Sequence, residues 1–180
     1  MKKTVAIAFI ALLVSFGFIS CYDNTDFLTE SEKNTQYLIN AKNGWRLVAA
    51  SSTPIYDATG GNTKNDLLKS FLEEWDLDDI VYYKGDNEMY VRPDTALPPE
   101  GALGYTVYTM MGAWSIEGEE GTSLKTHLPF LHTKGRNTAV TATITSISST
   151  VFSFNCTYVE NKDEPTAKEY QFSLTYRANP

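Results

Sequence analysis

The run Lys168-Glu169-Tyr170-Gln171-Phe172-Ser173-Leu174-Thr175-Tyr176-Arg177 decides the fold class. Tyr170, Phe172, Leu174 and Tyr176 alternate with Gln171, Ser173, Thr175 and Arg177. Successive side chains of a strand point to opposite faces, so one face here is aromatic and the other polar. Such one-sided amphipathy belongs to an antiparallel sheet with one solvated face. Val151 to Val159 repeats the pattern just upstream, with Phe152, Phe154, Cys156 and Tyr158 on one side. The charged stretch Glu160–Glu164 makes the turn between the two.

The same alternation extends towards the N-terminus. Thr138 to Ile147 is rich in Thr, Ile and Val, which suit a pleated, half-buried surface. Tyr105 to Met110 and Ala113 to Glu117 read as two strands with Gly112 between them, and residues 122–135 leave room for one more. Asp79 to Lys84 and Glu88 to Arg92 flank Gly85-Asp86-Asn87, a hairpin centre. Trp45, Leu47 and Ala49 alternate with Arg46 and Val48 as a first strand. Helices are few. Thr29 and Glu32 form a capping-box pattern that predicts a helix over 30–43, stopped by Gly44. Leu67, Leu68, Phe71, Leu72 and Trp75 predict a short one over 66–75. Residues 51–64 and 93–104 read as loops, rich in glycine, proline and small polar residues. About eight strands in one domain leave a barrel or a sandwich.

The N-terminus is of another kind. Lys2 and Lys3 precede an apolar run, and Phe18-Ile19-Ser20-Cys21 supplies a cleavage point ending in cysteine. The apolar core, Val5 to Ile19, is 15 residues, short of the ~20 that cross a bilayer. Cleavage before a cysteine that then carries lipid marks a bacterial lipoprotein. The expected organisation is a leader over 1–20, lipidated Cys21 with a tether over 21–35, and a β-domain over 36–180. The lipid on Cys21 makes the membrane a partner, since each buried CH₂ contributes ~0.8 kcal/mol. No acid directly follows Cys21, so the outer membrane is the expected destination.

Charge narrows the other partners. Fifteen basic residues less Lys2 and Lys3, set against 22 acidic ones, leave the mature chain at −9. That balance argues against nucleic acid and against electrostatic docking on anionic lipid. Cys156 is the one cysteine left after lipidation, so no intrachain disulfide is expected. Its place beside Phe152 and Phe154 on one strand face makes it a small core residue.

Three stretches resemble the lipocalin-like (calycin-type) domain lipoproteins common in the Bacteroidetes. They are Gly44-Trp45-Arg46-Leu47-Val48, Asp78-Asp79-Ile80-Val81-Tyr82-Tyr83 and Gly112-Ala113-Trp114-Ser115-Ile116, in that order across residues 36–177. Trp75-Asp76-Leu77 stands where that family often has a cysteine, and Ser51 to Asn65 has no counterpart in it. The resemblance implies an all-β, antiparallel up-and-down barrel of about eight strands after a short N-terminal helix. It also implies an interior able to hold a small apolar ligand, lined by inward residues such as Trp45, Leu47, Tyr82, Trp114, Phe154 and Phe172. The competing expectation is a filled interior, with loops 51–65 and 93–104 and outward tyrosines binding a glycan or an envelope protein. Asp94-Thr95-Ala96 resembles the three-residue O-glycosylation site of the same bacteria.

Motifs for other chemistry are absent, and neither enzyme activity nor a cofactor is expected. His127 and His132 are the only histidines, five apart around Pro129, and lack further ligands at a metal-site spacing. Glu73, Glu74, Asp76, Asp78 and Asp79 begin a calcium-loop spacing that Ile80 and Val81 break, which leaves a solvated helix end as the expectation. Gly-x-Ser-x-Gly is missing, and Gly60-Gly61-Asn62-Thr63-Lys64 lacks the leading glycine of a phosphate loop.

Overall fold

Strands β8 (Val151–Glu160) and β9 (Lys168–Ala178) pair without a register break, from Val151 opposite Arg177 to Glu160 opposite Lys168. The faces fall as the alternation predicts: Phe152, Phe154, Cys156, Tyr158, Tyr170, Phe172, Leu174 and Tyr176 are all buried. The computed structural model describes residues 28–57, 63–70, 72–102, 104–134, 139–162 and 164–180, the side chains of residues 70 and 132–134 excepted. The leader, Cys21 and the tether up to residue 27 lie outside the described residues.

Around that pair the chain builds a nine-stranded sheet. Its other strands are β1 (Trp45–Thr53), β2 (Ile80–Tyr83), β3 (Glu88–Arg92), β4 (Thr109–Ala113), β5 (Ser115–Glu117), β6 (Ser123–His127) and β7 (Ala139–Ile147). They lie in the order β4-β3-β2-β1-β9-β8-β7-β6-β5, every neighbouring pair antiparallel. The sheet is mostly consecutive hairpins, and no ladder joins its two edges among the described residues. It curls nonetheless, because the Tyr83 hydroxyl on β2 meets Thr126 Oγ1 on β6 across the interior at 2.9 Å.

The strand expected over 105–110 is displaced to Thr109–Ala113 and takes in Gly112, which was expected to separate two strands. His127 explains the glycine. A Cβ on Gly112 would collide with the His127 ring at Nε2, and φ there is +143°, where side chains are strained. The ambiguous stretch 122–135 resolves into β6 and a 3-10 turn, Pro129–Lys134.

The first helix, α1 (Glu30–Asn40), carries the full capping box between Thr29 and Glu32 and ends three residues short of the expectation. It begins inside the expected tether and belongs to the domain. Leu38 is buried, its carbonyl accepts Trp45 Nε1–H at 3.0 Å, and Asn34 donates to the Gly121 carbonyl. The helix expected over 66–75 is two single turns, α2 (Leu67–Ser70) and α3 (Glu74–Leu77), with Glu73 extended between them.

The loop after β1 is part of the core. Tyr56 is fully buried, edge-on to Tyr170 at 4.9 Å and to Phe172 at 5.5 Å. It covers the end of the interior away from Trp45, which packs edge-on to Phe152 at 4.8 Å. Each such pair adds ~0.5–1.5 kcal/mol beyond its buried area.

Candidate functional site

Five of the six residues expected to line a ligand cavity do face inward. Trp45, Leu47, Trp114, Phe154 and Phe172 are buried, and much of their surface is spent on one another and on neighbouring rings. Phe152 lies 5.8 Å from Phe154 and 5.0 Å from Tyr176, and Phe130 lies 5.6 Å from Phe172. A cleft beside Leu47, Val81, Phe130 and Tyr176 has about 10 Å³ of room, enough for about one water.

Tyr82 corrects the sixth assignment. Val81 and Tyr83 belong to the core, so alternation turns Ile80 and Tyr82 to the opposite face, where Ile80 is itself covered and Tyr82 half-buried. Tyr83 is the interior ring, 5.1 Å edge-on from Trp114, and burial raises its phenol well above the usual range. Tyr82 instead stands directly opposite Tyr90 across the β2–β3 ladder. Tyr108 stacks on Tyr90 at 4.7 Å with planes only 2° apart, and meets Tyr82 edge-on at 5.9 Å. Lys84 Nζ lies 5.1 Å from the Tyr82 ring centre and Arg92 Cζ 5.6 Å from it. The Tyr90 phenol is held up to about 12, first by the hydrogen bond it donates to Glu88. Tyr108, Met110 and Val107 are exposed by 47%, 50% and 66%, so the cluster opens to solvent. An exposed aromatic group bordered by both signs of charge offers an apolar body with polar edges.

The acidic run is a second correction. Asp76, Asp78 and Asp79 are buried, not a solvated helix end. Asp78 Oδ2 accepts the backbone N–H groups of Thr95 and Ala96, at 2.7 and 2.6 Å, and the Thr95 hydroxyl at 2.9 Å. Asp94 pairs with Arg46 at 2.6 Å. All three residues of the Asp94-Thr95-Ala96 stretch are therefore fastened to the β-domain, and the Thr95 hydroxyl is already engaged. Asp79 lines the 10 Å³ cleft. Burial, and after it the charges of Asp76 and Asp78, raises its carboxyl from 3.8 to about 8.

Among the described residues, no group of three or more His, Cys, Asp or Glu side chains is placed to hold a metal ion. His127 Nε2 lies 3.2 Å from the Ala113 carbonyl, and the His132 side chain is outside the described residues. Cys156 is a buried free thiol, which burial pushes up to about 12.

No family model matches the chain, and no curated protein is similar enough to match it. No helix among the described residues is long and apolar enough to cross a membrane. The site therefore rests on geometry alone.

Alternation hides one more feature. Arg46, Arg92 and Arg177 sit at outward positions of three different strands, and only the register reveals that they share a row. Arg177 is opposite Arg46, Arg46 opposite Ile80, and Ile80 opposite Arg92.

Proposed function

We propose that this chain is a lipid-anchored cell-envelope protein whose β-domain is a glycan-binding module acting through its outer surface. The observation that carries this reading is the Tyr82–Tyr90–Tyr108 cluster. Tyr108 is exposed and packs on the half-buried Tyr82 and Tyr90, so the cluster meets solvent, whereas the interior rings are buried. Stacked rings offer sugar C–H faces an apolar platform, and Lys84, Arg92, Asp86 and Glu88 border it with donors and acceptors.

The lipocalin-like barrel belongs to the same proposal. Only Trp114 separates β4 from β5, the two opposite edge strands of the sheet. In this reading Thr109 to Glu117 counts as one kinked strand of an eight-stranded meander. Trp114 N–H donates to the Asn87 carbonyl at that kink. Anchorage at the outer membrane rests on the leader and Cys21.

The test is affinity for neutral oligosaccharides (cello-, malto- and chito-oligomers), measured by calorimetry on the full chain and on Tyr82→Ala and Tyr108→Ala. At least one oligomer class should bind, with each substitution weakening it about tenfold or more, and Tyr108→Ala, at a 47% exposed site, should leave the melting temperature nearly unchanged. Equal affinity in both variants, or no binding by any class, overturns the reading.

A further inference from the structure

The chain contains four arginines, and three of them, Arg46, Arg92 and Arg177, fall in the single cross-strand row just described. Arg46 and Arg177 are direct partners across the β1–β9 ladder. Like charges placed opposite one another on a sheet destabilise it. Asp94 relieves Arg46, at 2.6 Å, and among the described residues no ion pair reaches Arg177. The row thus carries three guanidiniums and one carboxylate, a local cationic excess on a chain whose net charge is −7 before the leader is removed.

The surroundings are concave. Arg46, Val48, Arg177, Ala178, Asn179 and Pro180 line a pocket of about 370 Å³. Through Val48 it adjoins a groove of about 810 Å³ across the outer face of β1, β9, β8 and β7. Ser51, Ser153, Asn155, Ser173 and Thr175 bring hydroxyl and amide groups to that groove, beside Asp66, Lys69 and the apolar Val48 and Leu68. In the other direction the row reaches Arg92, which lies over the Tyr82 ring of the platform. Three strand spacings separate Arg177 from Arg92, about 14 Å, the length of a short oligosaccharide.

We propose that the Arg46–Arg177 pair is an anion subsite that takes the acid group of an acidic oligosaccharide. A carboxylate or phosphate between two guanidiniums accepts paired N–H bonds, a geometry that lysine does not offer. Its charge offsets the repulsion between the arginines. The sugar rings then extend from the pair onto the hydroxyl-lined groove or along the row to the tyrosines. The inference rests on the glycan-binding reading for its saccharide and on the arginine row for its charge.

The experiment uses the full chain and three probes: oligogalacturonate, its fully methyl-esterified form, and inorganic phosphate alone. Affinity is read by calorimetry, and the arginine Nε–H resonances by NMR, for the wild type, Arg177→Gln and Tyr108→Ala. The acid should bind at least tenfold more tightly than the ester, more weakly as salt rises, and should shift Arg46 and Arg177. Arg177→Gln should abolish the preference for acid and leave the melting temperature within a few degrees. Phosphate should shift the same two resonances, with weaker binding than the oligomer. Equal binding of acid and ester overturns the anion subsite and leaves the tyrosine platform standing. Phosphate binding as tight as that of the acid overturns the saccharide and leaves an anion site. Acid binding that needs Arg177 but ignores Tyr108 shows the subsite working without the platform, and failure of all three probes removes the subsite.

Discussion

Asp79→Asn should change how stability depends on pH. In the folded chain Asp79 holds its proton up to about 8, against an ordinary 3.8, because it is buried and faces Asp76 and Asp78. A carboxyl raised on folding means that the folded state binds the proton more tightly than the unfolded one. Its stabilising effect is therefore complete below the ordinary value and is lost as pH rises towards the folded value. Between those limits the folding constant falls about tenfold per pH unit, or about 3 kcal/mol from about pH 5 to about pH 7. Asp76 and Asp78 are the carboxyls beside it. Tyr105 and Tyr176, whose phenols burial raises, stay protonated throughout that window. Asparagine keeps the shape and removes the titration. Urea unfolding followed by tryptophan fluorescence, at a series of pH values, should give the variant a much flatter profile and a gain of a few kcal/mol at neutral pH. A wild-type profile that is flat or rises with pH, or equal slopes in the two proteins, would refute the reasoning.

Two further predictions follow from the packing. Gly112→Ala should destabilise the domain by about 1–3 kcal/mol, since the residue is held at a strained φ and its new Cβ would meet the His127 ring; thermal unfolding measures it. Cys156, buried and with its thiol pushed up to about 12, should resist alkylation at mildly alkaline pH in the native chain and react fully in denaturant, as mass spectrometry would read.

Much of the sheet was legible because its longest strands carry a strict period of two. Phe152 to Tyr158 and Tyr170 to Tyr176 assign their own faces, and Cys156 follows from its neighbours. The pattern fails where adjacent residues are alike. Tyr82 and Tyr83 are the same residue type, and only the parity of Val81 and Tyr83 in the core tells which ring points out. Asp76, Asp78 and Asp79 read as solvated because nothing local covers them; their burial comes from Thr95 and Ala96, and from Pro129 and Phe130, distant in sequence. The arginine row was invisible for a related reason. Each arginine sits at an ordinary outward position, and their alignment is a property of register between strands.

The most direct test of a glycan-binding outer surface is NMR mapping of the full chain titrated with the best-binding oligosaccharide. The account predicts shifts confined to Tyr82, Tyr90, Tyr108 and their outer-face neighbours, with Trp45, Trp114 and Phe154 unmoved. Shifts centred on those three interior rings, with the outer tyrosines silent, would contradict it and return the ligand to the inside of the sheet.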